Sequence, residues 1–137
     1  MNEEKECLML NEFIDGYIYC ALWSSVDGNG APLEKLYSAK DLSEETRAKI
    51  VDDCTDFYNK NLDNLKKYCQ EISLERDTEQ ASWENAGHDF WFTRNGHGCG
   101  FWDRDLSDNL SRELTDASHA EGECDLYVGD DNKLYVM

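Results

Sequence analysis

Apolar residues that return every three or four positions over two long stretches constrain this chain more than any other feature. From Leu8, "LMLNEFIDGYIYCALWSS" puts Leu10, Phe13, Ile14, Tyr17, Ile18, Ala21 and Leu22 on one broad stripe, the mark of an amphipathic helix. Gly16 weakens that helix by about 1 kcal/mol relative to alanine, and the turn-forming run "VDGNGAP" ends it near Ser24. The second stretch has the stronger start. Ser43 is a natural N-cap, and Glu44 and Glu45 occupy the first turn, where the helix dipole favours negative charge. Ile50, Cys54, Phe57, Tyr58, Leu62, Leu65, Cys69 and Ile72 follow at helical period, as one long helix or as two parted near Asn59 to Asn61.

"TEQASWENAG" predicts a short helix from Glu79, capped by Thr78 and stopped by Gly87. Beyond it the period changes to two. "HDFWFTR" alternates Phe90 and Phe92 with Trp91 and Thr93, as a strand does. Asn95-Gly96 is a strong hairpin signal, and "CGFWDRD" returns as the partner strand. "LSDNLSRELTDASHAEG" reads as a helix capped by Ser107, with Leu110, Leu114 and Ala117 on its apolar line and Gly122 at its end. In "CDLYVGDDNKLYVM", Leu126 and Val128 answer Leu134 and Val136 across a turn at Gly129 to Asn132. The expected fold is a single α+β domain over 1–137: helical over 8–85, a hairpin over 88–104, a helix over 107–121 and a hairpin over 123–137. A small antiparallel sheet of two hairpins would pack against about three helices.

Charge narrows the partners. The chain of 137 residues carries 30 acids against 13 bases, a net charge of −17. Such a surface repels nucleic acid and anionic lipid and steers basic partners toward itself, although acidity can also serve solubility alone. No apolar run approaches the ~20 residues of a membrane span, and "MNEEKEC" lacks the basic and apolar parts of a secretion signal. The expectation is a cytoplasmic protein, a monomer or homodimer, that touches neither membrane nor nucleic acid directly. Cys7, Cys20, Cys54, Cys69, Cys99 and Cys124 are widely spaced, so most of them read as buried thiols, and none as a disulfide or zinc ligand. Asp27 and Asn29 suggest a calcium loop, but Pro32 stands where that loop needs glycine and Ser38 where it needs glutamate. No metal and no cofactor is expected.

The stretch "GHDFWFTRNGHGCGFWDRD" concentrates the reactive residue types. His97 and Cys99 would form a base–nucleophile pair, but both lie beside a flexible glycine-rich turn, a poor platform for catalysis. No nucleophile elbow, phosphate loop or zinc-protease motif is present. The chain therefore reads as a protein without catalytic residues. Arg94 and Arg104 suit internal ion pairs, with Asp89 and Asp103 as partners. Trp91, Arg94, His97, Trp102 and Arg104 together form an alternative aromatic and polar patch for a partner or a small signalling nucleotide.

Three separated segments, "FIDGYIYCALWSSVDGNGAPLE", "AGHDFWFTRNGHGCGFWDRD" and "GECDLYVGDDNKLY", resemble a family of small acidic proteins of bacteriophages and related mobile elements, a family with no assigned function. The resemblance implies phage origin and residence in the host cytoplasm, and it carries no catalytic residues over. The function expected is that of an acidic inhibitor of a host nucleic-acid-binding defence protein, such as a CRISPR effector or a restriction or repair enzyme. Carboxylates would stand in for phosphates in a basic channel. Asp103, Asp105, Asp108, Asp116, Glu121, Glu123, Asp125, Asp130 and Asp131 are the candidate contact residues. Rival readings are a sponge or enzyme acting on a signalling nucleotide, and a phage regulator that binds through an exposed aromatic ribbon.

Overall fold

Among the described residues, five α-helices and one small hairpin form the fold: α1 Glu3–Ser24, α2 Glu44–Lys60, α3 Leu62–Arg76, α4 Glu79–Arg94, α5 Asp108–Ala120, β1 Leu126–Val128 and β2 Leu134–Val136. The computed structural model describes residues 3–76, 79–97, 99–104 and 106–137, with the side chains of 3–6, 73–76, 79–81 and 108 left out. Among the described residues no helix is long and apolar enough to cross a membrane.

Aromatic packing defines the centre. Phe13 of α1, Phe57 of α2, Phe90 of α4 and Phe101, in a short 3₁₀ turn after α4, are all fully buried. The rings of Phe57 and Phe90 stack with centroids 4.0 Å apart; Phe13 sits beside the pair, 6.1 Å from Phe57 and 6.0 Å from Phe90, and Phe101 lies 6.2 Å from Phe57. Each such ring removes enough apolar surface from water to contribute roughly 1.5–3 kcal/mol, so this cluster ties four elements together. Around it, α1 lies chiefly against α4, and α3 and α5 pack on α4 and on each other.

The start and stop signals of α2 act as the sequence suggests. Ser43 Oγ accepts from the Thr46 N–H at 3.1 Å. Asn61 interrupts the run: its main-chain N–H and its side-chain Nδ2 both donate to the Phe57 carbonyl, and α3 starts afresh at Leu62. The long apolar run is thus two helices. The C-terminal hairpin also stands as read, with Leu126 opposite Val136 and Val128 opposite Leu134. It leans on the entry to α2, where Ser43 N–H donates to the Leu134 carbonyl.

The expected α+β fold with a sheet of two hairpins is overturned, because the chain is mostly helical and its sheet has two strands of three residues. The error lies in 88–104. Gly87 does not stop α4; the helix runs through it to Arg94. Phe90, Trp91, Thr93 and Arg94 are all buried, as is Asp89. A helix covered on several sides buries consecutive residues, which erases the three-to-four period and leaves an apolar run that resembles a strand.

Asn95-Gly96 is a helix end instead of a hairpin turn. Gly96 has a φ of 68°, its N–H donates to the Thr93 carbonyl, and the His97 N–H reaches back to the Phe92 carbonyl. That pair of bonds is the Schellman arrangement, completed by a His97–Phe92 ring contact at 5.2 Å. The chain then folds back over the end of α4. Gly100 lies against the Thr93 hydroxyl, which accepts the Phe101 N–H at 3.0 Å and returns Phe101 to the core. Thr78, the expected cap of α4, lies outside the described residues.

Candidate functional site

Arg94 is the hub of the stretch that looked chemical in the sequence. It sits at the last turn of α4, 4% exposed, with its guanidinium 5.4 Å from the Phe90 ring centroid. Its Nε donates to the Gly122 carbonyl, Nη2 to the Glu121 carbonyl, and Nη1 to both Tyr17 Oη and Asp53 Oδ2, all within 2.8–3.0 Å. Burial alone would push its pKa down, but Tyr17, Cys124 and Asp53 hold it up, so it remains a cation. One side chain thereby joins α1, α2 and α4 to the carbonyl end of α5, where positive charge is favoured.

The second arginine is engaged in the same way. Arg104 grips Asp89 with two bonds, 2.8 and 3.2 Å, and Asp89 also accepts from the Tyr68 hydroxyl at 2.6 Å. Of the two acids expected as partners, Asp89 pairs with Arg104, while Asp103 is exposed. Arg94 instead pairs with Asp53, 41 residues earlier in the chain, with no local signal to mark it.

Trp91 is 2% exposed and donates its indole N–H to Ser24 Oγ. His97 is exposed against Phe92, and Trp102 is 50% exposed. The five residues of the aromatic and polar patch are therefore divided between interior and surface. Cys99 is half-buried, and burial with the nearby Asp89 and Asp103 carboxylates pushes its thiol pKa up. A thiol held protonated is a weak nucleophile. No group of three or more His, Cys, Asp or Glu is placed to hold a metal among the described residues. Cys20, Cys54, Cys69 and Cys124 are buried thiols, as expected of most of the cysteines, whereas Cys7 is exposed.

The carboxylates of the C-terminal third are turned outward. Asp103, Asp116, Glu123, Asp125, Asp130 and Asp131 are exposed, and Glu121 is half-buried. Asp105 lies outside the described residues, and the Asp108 side chain is not described. Asp131 is pinned within its turn by the Tyr135 hydroxyl at 2.6 Å and the Lys133 N–H at 3.0 Å, which lower its pKa.

Two exposed aromatics escaped the sequence reading. Tyr19 and Trp23 of α1 are 55% and 54% exposed, beside His88 and Phe92 of α4. Their signal was present as an i, i+4 aromatic pair off the apolar stripe, on the helix face that ought to be polar.

No protein-family model matches the chain, and no curated protein and no solved structure matches it either. Function must therefore be argued from the chain's own surface chemistry.

Proposed function

We propose that this chain is an acidic inhibitor, carried by a bacteriophage or related mobile element, that binds a host nucleic-acid-binding defence protein. Its carboxylates occupy the basic channel of that protein in place of phosphates. One observation carries the reading: Arg94 and Arg104 point inward onto Asp53 and Asp89, while Asp103, Asp116, Glu123, Asp125, Asp130 and Asp131 are exposed. The two arginine pairs are neutral, so the net charge of −17 is left to the rest of the molecule with two fewer cations to offset it locally. A strongly acidic face attracts a basic channel from a distance and speeds encounter. A nucleotide sponge would need these same two arginines free to converge on a phosphate.

The test is capture from host lysate at low and high salt. Binding should fall steeply with salt, as the Debye length shrinks from ~10 Å at 0.1 M to ~3 Å at 1 M. Nucleic acid should compete for the captured protein. The combined substitution Asp116→Lys, Glu123→Lys and Asp125→Lys should abolish capture with the melting curve preserved. Capture unchanged by these reversals, or simultaneous binding of nucleic acid, would defeat the proposal.

A further inference from the structure

A long cleft runs along the outer side of the α1–α4 pair, and its chemistry is not that of the C-terminal acidic face. Its wider part, about 620 Å³, is walled by α1, α4, the start of α2 and the turns between α1 and α2. Carboxylates come from three directions: Asp15 of α1, Glu34 of the turns and Glu84 of α4. The base on its wall, Arg47, is tethered by donating to the Ala39 carbonyl at 2.8 Å. Tyr19 and His88 stack at 5.9 Å and continue the cleft into a narrower part of about 360 Å³ that holds Trp23 and Phe92.

The regularity is informative. Tyr19 and Trp23 are one turn apart on α1, and His88 and Phe92 are one turn apart on α4. The helices therefore present two cross-helix aromatic pairs in register, Tyr19–His88 and Trp23–Phe92. Two large rings, each more than half exposed, form an apolar patch that water solvates poorly, and such patches mark contact surfaces. Carboxylates beside aromatic faces select one class of side chain. The ring face attracts a cation and the carboxylate takes its N–H donors, so arginine and lysine fit and anionic groups do not. Nucleic acid and anionic lipid are excluded by charge. A second copy of the chain would bring its own −17.

We infer that this cleft docks an arginine-bearing amphipathic segment of a partner protein. Its apolar residues lie on the Tyr19–Trp23 ridge, and its guanidinium groups meet Asp15, Glu34 and Glu84. The inference rests on the reading of the chain as a binder of basic proteins, and it adds a contact surface separate from Asp116, Glu123 and Asp125.

The probe is a fluorescein-labelled peptide alternating arginine and leucine, titrated against the full chain and followed by anisotropy. A Trp102→Phe background leaves Trp23 as the exposed tryptophan, since Trp83 and Trp91 are buried. The arginine peptide should shield Trp23 from acrylamide quenching, and a glutamate–leucine peptide should not. Trp23→Leu keeps the apolar contact and removes the strongest cation-binding ring; with Glu34→Lys it should weaken the peptide by about tenfold. The Asp116→Lys, Glu123→Lys, Asp125→Lys variant should bind the peptide as the parent does. Equal binding by Trp23→Leu with Glu34→Lys, equal binding of the glutamate peptide, or equal weakening by the C-terminal reversals would overturn the cleft assignment. Lysate capture that survives the cleft variant while the peptide is lost would leave the mimicry proposal standing without this surface as its contact. Capture lost only through the C-terminal reversals, with peptide binding kept, would show two separate surfaces.

Discussion

Gly87, in the middle of α4, lies directly against the main-chain carbonyl of Phe13 in α1. The relationship is mirrored one turn away, where Gly16 of α1 meets the main-chain carbonyl of Glu84 in α4. At both points a Cβ would fall on backbone, which cannot rotate away as a side chain can. The two glycines let the helices approach closely enough for Phe13 and Tyr17 to reach Phe90, with centroids at 6.0 and 5.4 Å.

Gly87→Ala should therefore destabilise, although alanine is the better helix former by about 1 kcal/mol. Overpacking against backbone outweighs that gain, and a net loss of about 2 kcal/mol is expected for Gly87→Ala and for Gly16→Ala. Urea denaturation reads the difference. A stabilised alanine variant would show that the two helices separate at little cost.

Arg94→Met should lose about 3 kcal/mol, because it removes the donor to the Glu121 and Gly122 carbonyls and to the buried Tyr17 hydroxyl and leaves Asp53 with Lys49 as its remaining cation. Arg94→Lys should recover only part of this, since an ammonium cannot spread its donors as the guanidinium does. Thermal melts of the two variants against the parent give the ranking, and a lysine variant as stable as the parent would contradict it.

Gly96→Val should cost about 1 to 2 kcal/mol, the penalty for a side chain at the φ of 68° found there. His97→Ala removes one ring contact and should cost roughly 0.5 kcal/mol. Chemical denaturation should separate the pair clearly. If His97→Ala lowered partner capture with its melt unchanged, His97 would belong to a binding surface.

Tyr17 and Tyr68 should titrate late. Burial, first of all, pushes both phenols well above 10.0; Cys124 and Cys54 add to this at Tyr17, and Asp89 at Tyr68. The unfolded chain releases these protons first, so the folded state holds more protons above about pH 10. Stability should be unaffected by these groups below that pH and fall as pH rises beyond it. Phenolate absorbance should show two tyrosines ionising only with unfolding, and their early ionisation in the folded protein would refute the burial argument.

Much of the architecture was legible because it is written in local chemistry. The stripe from Leu10 to Leu22, the Ser43 cap and the β1–β2 pairing each depend on neighbours within a few residues. Hydrophobic burial enforces such patterns wherever the segment sits in the fold. The acidic exterior was legible too, since charges with no partner stay in water. Tertiary structure decided the rest. Gly87 reads as a stop until a second helix needs the space its missing Cβ leaves. Asn95-Gly96 serves a hairpin turn or a helix end equally well, because both need a positive φ at glycine, and only the surrounding burial selects between them. Arg94 and Asp53 are 41 residues apart and meet only when α2 and α4 pack. The Tyr19–His88 and Trp23–Phe92 pairs likewise exist only because α1 and α4 lie side by side, held close by two glycines that local propensity counts as defects.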